Sequence, residues 1–137
     1  MKIFVTGGAG FIGCNFVLKQ VLQYDNHVLN YDKLTYAGNL TSLSAVEGHP
    51  NYQFIQADIC DRNTLKSSLQ ICKPDAVIHF AAESHVDRSI DGPFEFIQTN
   101  IVGTAVLLDE ALYYFKSLDS AKKEKFRFLH VSTDEVY

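Results

Sequence analysis

Two adjacent carboxylic acids near the end of the sequence, Asp134 and Glu135, have the makings of a proton-transfer pair. Neighbouring carboxyls whose surroundings push their pKa values apart hold opposite protonation states, so one can donate a proton while the other removes one. Thr133, beside them, carries a hydroxyl suited to holding a substrate oxygen. A plainer role fits the same residues. Ser132-x-x-Glu135 matches a helix capping box, with Ser132 as N-cap and Glu135 reaching back to its amide. Both readings stand on the residues alone.

At the other end of the chain, Gly7, Gly10 and Gly13 have the spacing of a phosphate cradle. The first permits a tight turn, the second lets backbone approach a pyrophosphate, and the third brings a helix close to a strand; the helix N-terminus adds partial positive charge. Asp32 follows Gly13 by nineteen residues, close to the roughly 20 that separate this loop from a ribose-binding acid. A carboxylate there accepts from a ribose 2′-hydroxyl and repels a 2′-phosphate, so NAD is the expected cofactor rather than NADP. Lys33, next to it, is the opposing feature. Asp58 has two readings: it meets the adenine, with Ile59 packing nearby, or it caps the following helix.

Positioning these residues takes alternating strands and helices. Lys2-Ile3-Phe4-Val5-Thr6 reads as a buried strand, followed by a helix from about Phe11 to Tyr24 with Ile12, Phe16, Val17, Val21 and Leu22 on its apolar face. Strands follow at 27–31 and 52–56, then a helix over about 61–72 that stops before Lys73-Pro74. A fourth strand covers 76–80. A long helix opens near Pro93, and its residues Phe94, Ile97, Ile101, Ala105, Leu108, Leu112 and Phe115 define the expected core face. Phe96, Val102 and Val106 form a second stripe. A charged loop, 116–125, leads to a fifth strand at 126–131, and His79 and His130 read as core histidines within their strands. The pattern predicts an α/β fold: a doubly wound, Rossmann-type parallel sheet in strand order 3-2-1-4-5, ending after the fifth strand. One cofactor-binding domain over residues 1–137 is expected. An apolar fifth strand at an open edge is an aggregation hazard, so the sequence reads as part of a longer protein.

Bulk properties narrow the classes. The 137 residues are 47% hydrophobic and 20% charged with net charge −4, which argues against a nucleic-acid partner. No apolar run is long enough to span a bilayer, and glycines interrupt the first apolar stretch too early for a signal peptide. The three cysteines, Cys14, Cys60 and Cys72, lack C-x-x-C spacing, so a reducing cytoplasm is expected, with no disulfide framework. Cys14 and Cys60 read as small hydrophobes. His85, Asp87 and Arg88 supply too few convergent ligands for a metal, and none is expected.

Taken together, 6–13, 32–39, 81–89, Thr99-Asn100 and 132–137 resemble the extended short-chain dehydrogenase/reductase family over essentially the whole chain. Within it, the adjacent acids Asp134 and Glu135 look like the members that remove water from a nucleotide-activated glucose, because related epimerases carry neither. The resemblance implies NAD contacts at Phe11, Ile12, Asp32, Lys33, Leu34 and Thr35, at Asp58 and Ile59, at Phe80, Ala81, Ala82, Glu83 and Ser84, and at Thr99. It implies sugar-nucleotide contacts at Ser84 and Thr133, with Asp134 as general acid and Glu135 as general base. In that chemistry, oxidation at C4 makes H5 acidic, a carboxylate removes it as the C6 hydroxyl leaves protonated, and the hydride returns to C6. The family's Tyr-x-x-x-Lys pair falls beyond Tyr137, so residues 1–137 alone are expected to hold cofactor without turning over. The family's helix-mediated dimers imply a homodimer through the long helix. A UDP-glucose dehydratase, an epimerase or decarboxylase, and a non-catalytic NAD-binding module are the competing readings.

Overall fold

Five short runs of mostly apolar residues pair side by side, each reached by a crossover that returns to the same end of the sheet. The computed structural model describes residues 1–84 and 92–132. Its strands β1 (Lys2–Thr6), β2 (His27–Asp32), β3 (Tyr52–Gln56), β4 (Ala76–His79) and β5 (Arg127–His130) form one parallel sheet. The order is β3-β2-β1-β4-β5, as the alternating pattern predicts. The chain order reverses between β1 and β4, and such a reversal opens a crevice at the carboxyl ends of the strands.

Alternation along the strands sends side chains to two separate cores. On one face Ile3, Val5, Val28 and Ile78 pack with Val17 and Val21 of α1 (Phe11–Leu22), and with Leu43 and Val46 of a 3-10 helix, Leu40–Val46. On the other, Phe4, Leu29, Tyr31 and Val77 meet Leu65 and Leu69 of α2 (Arg62–Cys72). Asp61 caps α2 by accepting from the Thr64 amide, and Lys73 ends it in a left-handed conformation just before Pro74. The 3-10 helix has no counterpart in the sequence expectation. In α1 the buried residues are Gly13, Cys14, Val17 and Val21, whereas Ile12 and Leu22, both expected in the core, are exposed.

The long helix runs without a break through α3 (Pro93–Phe96), a π-helical stretch (Ile97–Gly103) and α4 (Thr104–Ser117), because the joining residues all keep right-handed helical backbone. Its buried face is a correction. Gly103, Leu107, Ala111 and Tyr114 turn inward, with Leu107 in the second core, while Phe94, Ile97, Ile101, Ala105, Leu108 and Leu112 are exposed. The second expected stripe is not the buried face either: Val102 is exposed, and Phe96 and Val106 are half-buried. The face carrying Gly103 and Ala111 is the narrower, and it lets the helix pack closely; a Cβ on Gly103 would come within 2.7 Å of the Ile59 side chain. Arg62 then ties α2 to α4 through Asp109 and Glu110, each at 2.5 Å.

Two further expectations change near β5. The charged stretch after α4 contains a short helix, α5 (Ser120–Lys125), started by Asp119 accepting from the Lys122 amide. His130 is exposed, because β5 is an edge of the described sheet. His79 meets the core expectation. It is fully buried, with Nδ1 2.7 Å from Thr6 Oγ1 and Nε2 3.0 Å from Thr104 Oγ1, and its ring lies 4.8 Å from that of His130. Burial, reinforced by the charge of His130, lowers its pKa to about 4. The unfolded chain therefore binds this proton more readily than the folded one. Stability from His79 is fully present above about pH 6.5 and is lost as the pH falls toward 4. Denaturant titrations across that window should show unfolding free energy falling by up to about 3 kcal/mol, and His79→Gln should remove that part of the slope.

Candidate functional site

The crevice is built first by the turn that follows β1. Gly7 has φ of +73°, and a Cβ there would come within 2.6 Å of Ala81 Cα. Its amide donates to Tyr31 O at 3.0 Å, and the Gly10 amide closes the turn on Gly7 O at 3.2 Å. Gly13 takes α1 close to the turn, since a Cβ would stand 2.8 Å from Gly8 Cα. The N-cap of α1 is Gly10, which offers no side-chain acceptor, and the first turn holds no acidic residue. The amides of Phe11, Ile12 and Gly13 are thus left at the positive end of a twelve-residue helix, which favours an anion. Phe11 and Ile12 hold their side chains out to solvent.

Asp32, at the end of β2, faces this turn. Its Oδ2 accepts from the Ala9 amide at 2.9 Å and its Oδ1 from the Leu34 amide at 2.8 Å. Each carboxylate oxygen keeps a further lone pair for a ligand hydroxyl. Leu34 has φ of +57° and packs against the first core instead of lining the cleft. Lys33 Nζ lies 2.8 Å from Asp58 Oδ2, and its pKa is raised by that hydrogen bond. For Asp58, burial works to raise the pKa, but the bonds from Lys33 and from the Cys60 amide outweigh it and hold the carboxyl below its ordinary value. Lys33 is therefore engaged by a carboxylate. The capping alternative for Asp58 is corrected: Asp61 caps α2, and Asp58 instead fixes the turn before it.

The resulting cleft is open to solvent, with about 570 Å³ of non-atom space that includes its open mouth. Gly7 and Gly10 lie at its base, Asp32, Lys33 and Thr35 on one side, and Asp58 and Ile59 behind. Phe80, Ala81, Ala82 and Glu83, with Thr99 from the π-helical stretch, form the opposite wall. Phe11, Ile12, Gly13, Leu34 and Ser84 are not among its lining residues. Tyr31, Ala37, Gly38 and Ala57 are, although sequence reasoning assigned them no role. Tyr31 is fully buried and donates to Asp58 O at 3.0 Å; burial and the nearby Asp61 and Asp58 charges push its pKa well up. Thr133, Asp134 and Glu135 lie outside the described residues, as do His85, Asp87 and Arg88. Among the described residues no cluster of three His, Cys, Asp or Glu side chains could hold a metal, and no helix is long and apolar enough to cross a membrane.

Two polar side chains hold the walls together. Tyr36 OH donates to Glu83 Oε2 at 3.0 Å, linking one lip to the other. Asn100 grips the backbone of Glu83 at both ends, accepting from its amide at 2.8 Å and donating to its carbonyl at 2.9 Å. Both belong to segments the sequence singled out, 32–39 and Thr99-Asn100, where an amide or phenol beside small residues was the available signal. Asn100→Leu should release the wall: amide hydrogen exchange at Glu83 is expected to rise by about tenfold or more, the loss of one or two hydrogen bonds, with β1 and β2 unaffected.

Known proteins resemble the chain throughout this region. A family profile described as GDP-mannose 4,6 dehydratase matches residues 4–137. A dTDP-glucose 4,6-dehydratase of Escherichia coli is 55% identical over 137 residues, all of this chain and 38% of that protein. Among solved structures, the dTDP-glucose 4,6-dehydratase of Bacillus anthracis in complex with NAD superposes with a TM-score of 0.82 at 36% identity, covering 100% of this chain and 39% of that one. The UDP-glucose 4-epimerase of Thermotoga maritima, solved with UDP-glucose, gives a TM-score of 0.73 at 32% identity over 83% of this chain and 35% of its own. The chain spans about 38% of the length of the E. coli relative.

Proposed function

Because the chain belongs to the GDP-mannose 4,6 dehydratase family, we propose that it is the NAD-binding portion of an enzyme that dehydrates dTDP-glucose to the 4-keto-6-deoxy sugar. The observation that carries this reading is the open, acid-free N-terminus of α1, whose N-cap Gly10 lines the same cleft as Asp32. The fit is chemical. Uncapped amides suit the pyrophosphate, and the turn holds its shape because Gly7 has no Cβ to strike the Ala81 backbone. Asp32 suits a ribose diol, and Lys33, bound to Asp58, is turned away from the task of holding a 2′-phosphate. Bound NAD supplies a hydride acceptor at C4 and the hydride returned to C6.

Residues of this chain take part of the remaining work, and the C4 hydroxyl proton passes to a base that is not among them. Phe11 and Ile12 contribute backbone amides, while Ile59, Ala81 and Thr99 line the cleft beside the cofactor. Ser84 and Thr133 contact the sugar nucleotide, and Thr133 holds its C4 oxygen. Asp134 protonates the departing C6 hydroxyl and Glu135 removes H5, each contributing about 10²–10⁴-fold as acid–base groups do. The fold is shared with the T. maritima UDP-glucose 4-epimerase; the adjacent acids Asp134 and Glu135 favour dehydration. The dTDP form of the substrate rests on relatives such as the E. coli protein. The exposed stripe of Phe94, Ile97, Ile101, Leu108 and Leu112 is suited to a second copy, giving a homodimer. Three free cysteines fit a reducing cytoplasm.

Calorimetric titration should show NAD binding tighter than NADP, with Asp32→Asn weakening NAD by about tenfold or more, one hydrogen-bonded charge's worth, and narrowing the preference. In the full-length enzyme, Asp134→Asn and Glu135→Gln should each cut product formation by about a hundredfold or more while NAD affinity holds. Unaltered dehydration in both variants would overturn the acid–base roles and leave Glu135 with the capping role alone.

A further inference from the structure

Gly8 is not one of the three glycines that the phosphate turn requires, yet the position has no room for a side chain. A Cβ there would lie 2.7 Å from Asn30 Cγ and would overlap Asn30 Oδ1. Asn30 sits on β2 with no solvent exposure. Its Nδ2 donates to Tyr52 OH at 3.1 Å, which fixes the amide plane. Its Oδ1 accepts no hydrogen bond. An orphan amide oxygen in a core is costly, and in native proteins it calls for an explanation. The same face of the sheet is otherwise aliphatic at Val5, Val28 and Ile78, so an apolar residue at position 30 would remove the penalty.

The explanation lies above the amide. Gly8 directs a Cα–H bond where its Cβ would stand, toward Oδ1, as in weak Cα–H···O contacts. Gly8 belongs to the turn whose amide at Ala9 is bonded to Asp32, and Gly13 packs against Gly8 from the other side. The height of Gly8 above the sheet therefore sets where the first turn of α1 begins. We propose that Asn30 is a positioning residue for the cofactor loop, its flat amide being the floor on which Gly8 rests. The role rests on the reading of this loop as an NAD site.

The test is NAD affinity by calorimetry, with thermal unfolding measured on the same samples of the full chain. Gly8→Ala should weaken NAD by about tenfold or more. Adding Asn30→Ala should leave affinity within about threefold of Asn30→Ala alone, since residues in contact couple. An independent arm combines Asn30→Leu with Tyr52→Phe, which removes the orphan oxygen and its partner together at similar volume. That chain should unfold at the same temperature or higher, yet bind NAD about tenfold or more weakly. A purely structural role predicts the reverse split. If the unaltered chain binds no NAD, the site reading fails first. If it binds, the positioning role is overturned by a Gly8→Ala/Asn30→Ala chain about tenfold or more weaker than Asn30→Ala alone, the additive result of two uncoupled sites. Should Gly8→Ala fail to fold, unchanged affinity in the Asn30→Leu/Tyr52→Phe chain overturns it alone.

Discussion

One carboxylate joins the parts on which the cleft depends. Asp32 accepts from Ala9 in the glycine turn and from Leu34 in the loop after β2, so two segments at the end of adjacent strands share one anchor. The Asn39 amide adds a second tie, donating to Ala9 O at 3.0 Å. Charge-assisted bonds of this kind contribute roughly 1.5–3 kcal/mol each, and here they act where the backbone is least regular. Leu34 is held at a positive φ that an L-residue rarely adopts, and the Asp32 contact offsets that strain. With both loops fixed, the uncapped start of α1 and the carboxylate open onto the same space.

The opposite wall depends on an irregular helix. The π-helical stretch carries Thr99 to the cleft and Asn100 to the Glu83 backbone. Its position is held from below, where Gly103 packs on Ile59 and Cys60 Sγ donates to Gln98 O at 3.3 Å. Wider helical turns of this sort often accompany functional sites, since they re-aim side chains without ending the helix. Ile59 serves both purposes here, lining the cleft and bearing on Gly103.

The electrostatics of the cleft are set by carboxylates and backbone amides. Asp32, Asp58 and Glu83 line it with Lys33, and Lys33 is bound to Asp58. The uncapped helix N-terminus supplies positive potential whose dipole costs no side-chain entropy to orient. Carboxylates that can accept from hydroxyls and the N-cap of α1 thus border one cleft. This arrangement also explains how a chain of net charge −4 can be suited to an anionic dinucleotide.

Much of this was legible in the residues. Strand order, the glycine turn and the nineteen-residue interval to Asp32 follow from local rules, because a parallel crossover has one handedness and a tight turn beside a phosphate tolerates no Cβ. The helix faces did not follow. In the long helix apolar residues lie on several sides, and only packing against α2 could select the face with Gly103 and Ala111, which neither expected stripe contains. His79 and His130 look alike in sequence, yet one is central and the other on an edge strand, which pairing alone determines. The same holds for Lys33 and Asp58, for Asn100 on Glu83, and for Asn30 beneath Gly8. Residues distant in the chain become partners only when the sheet brings their strands into register, so sequence spacing carries the turn and the cofactor class, while tertiary contact decides how the turn is held.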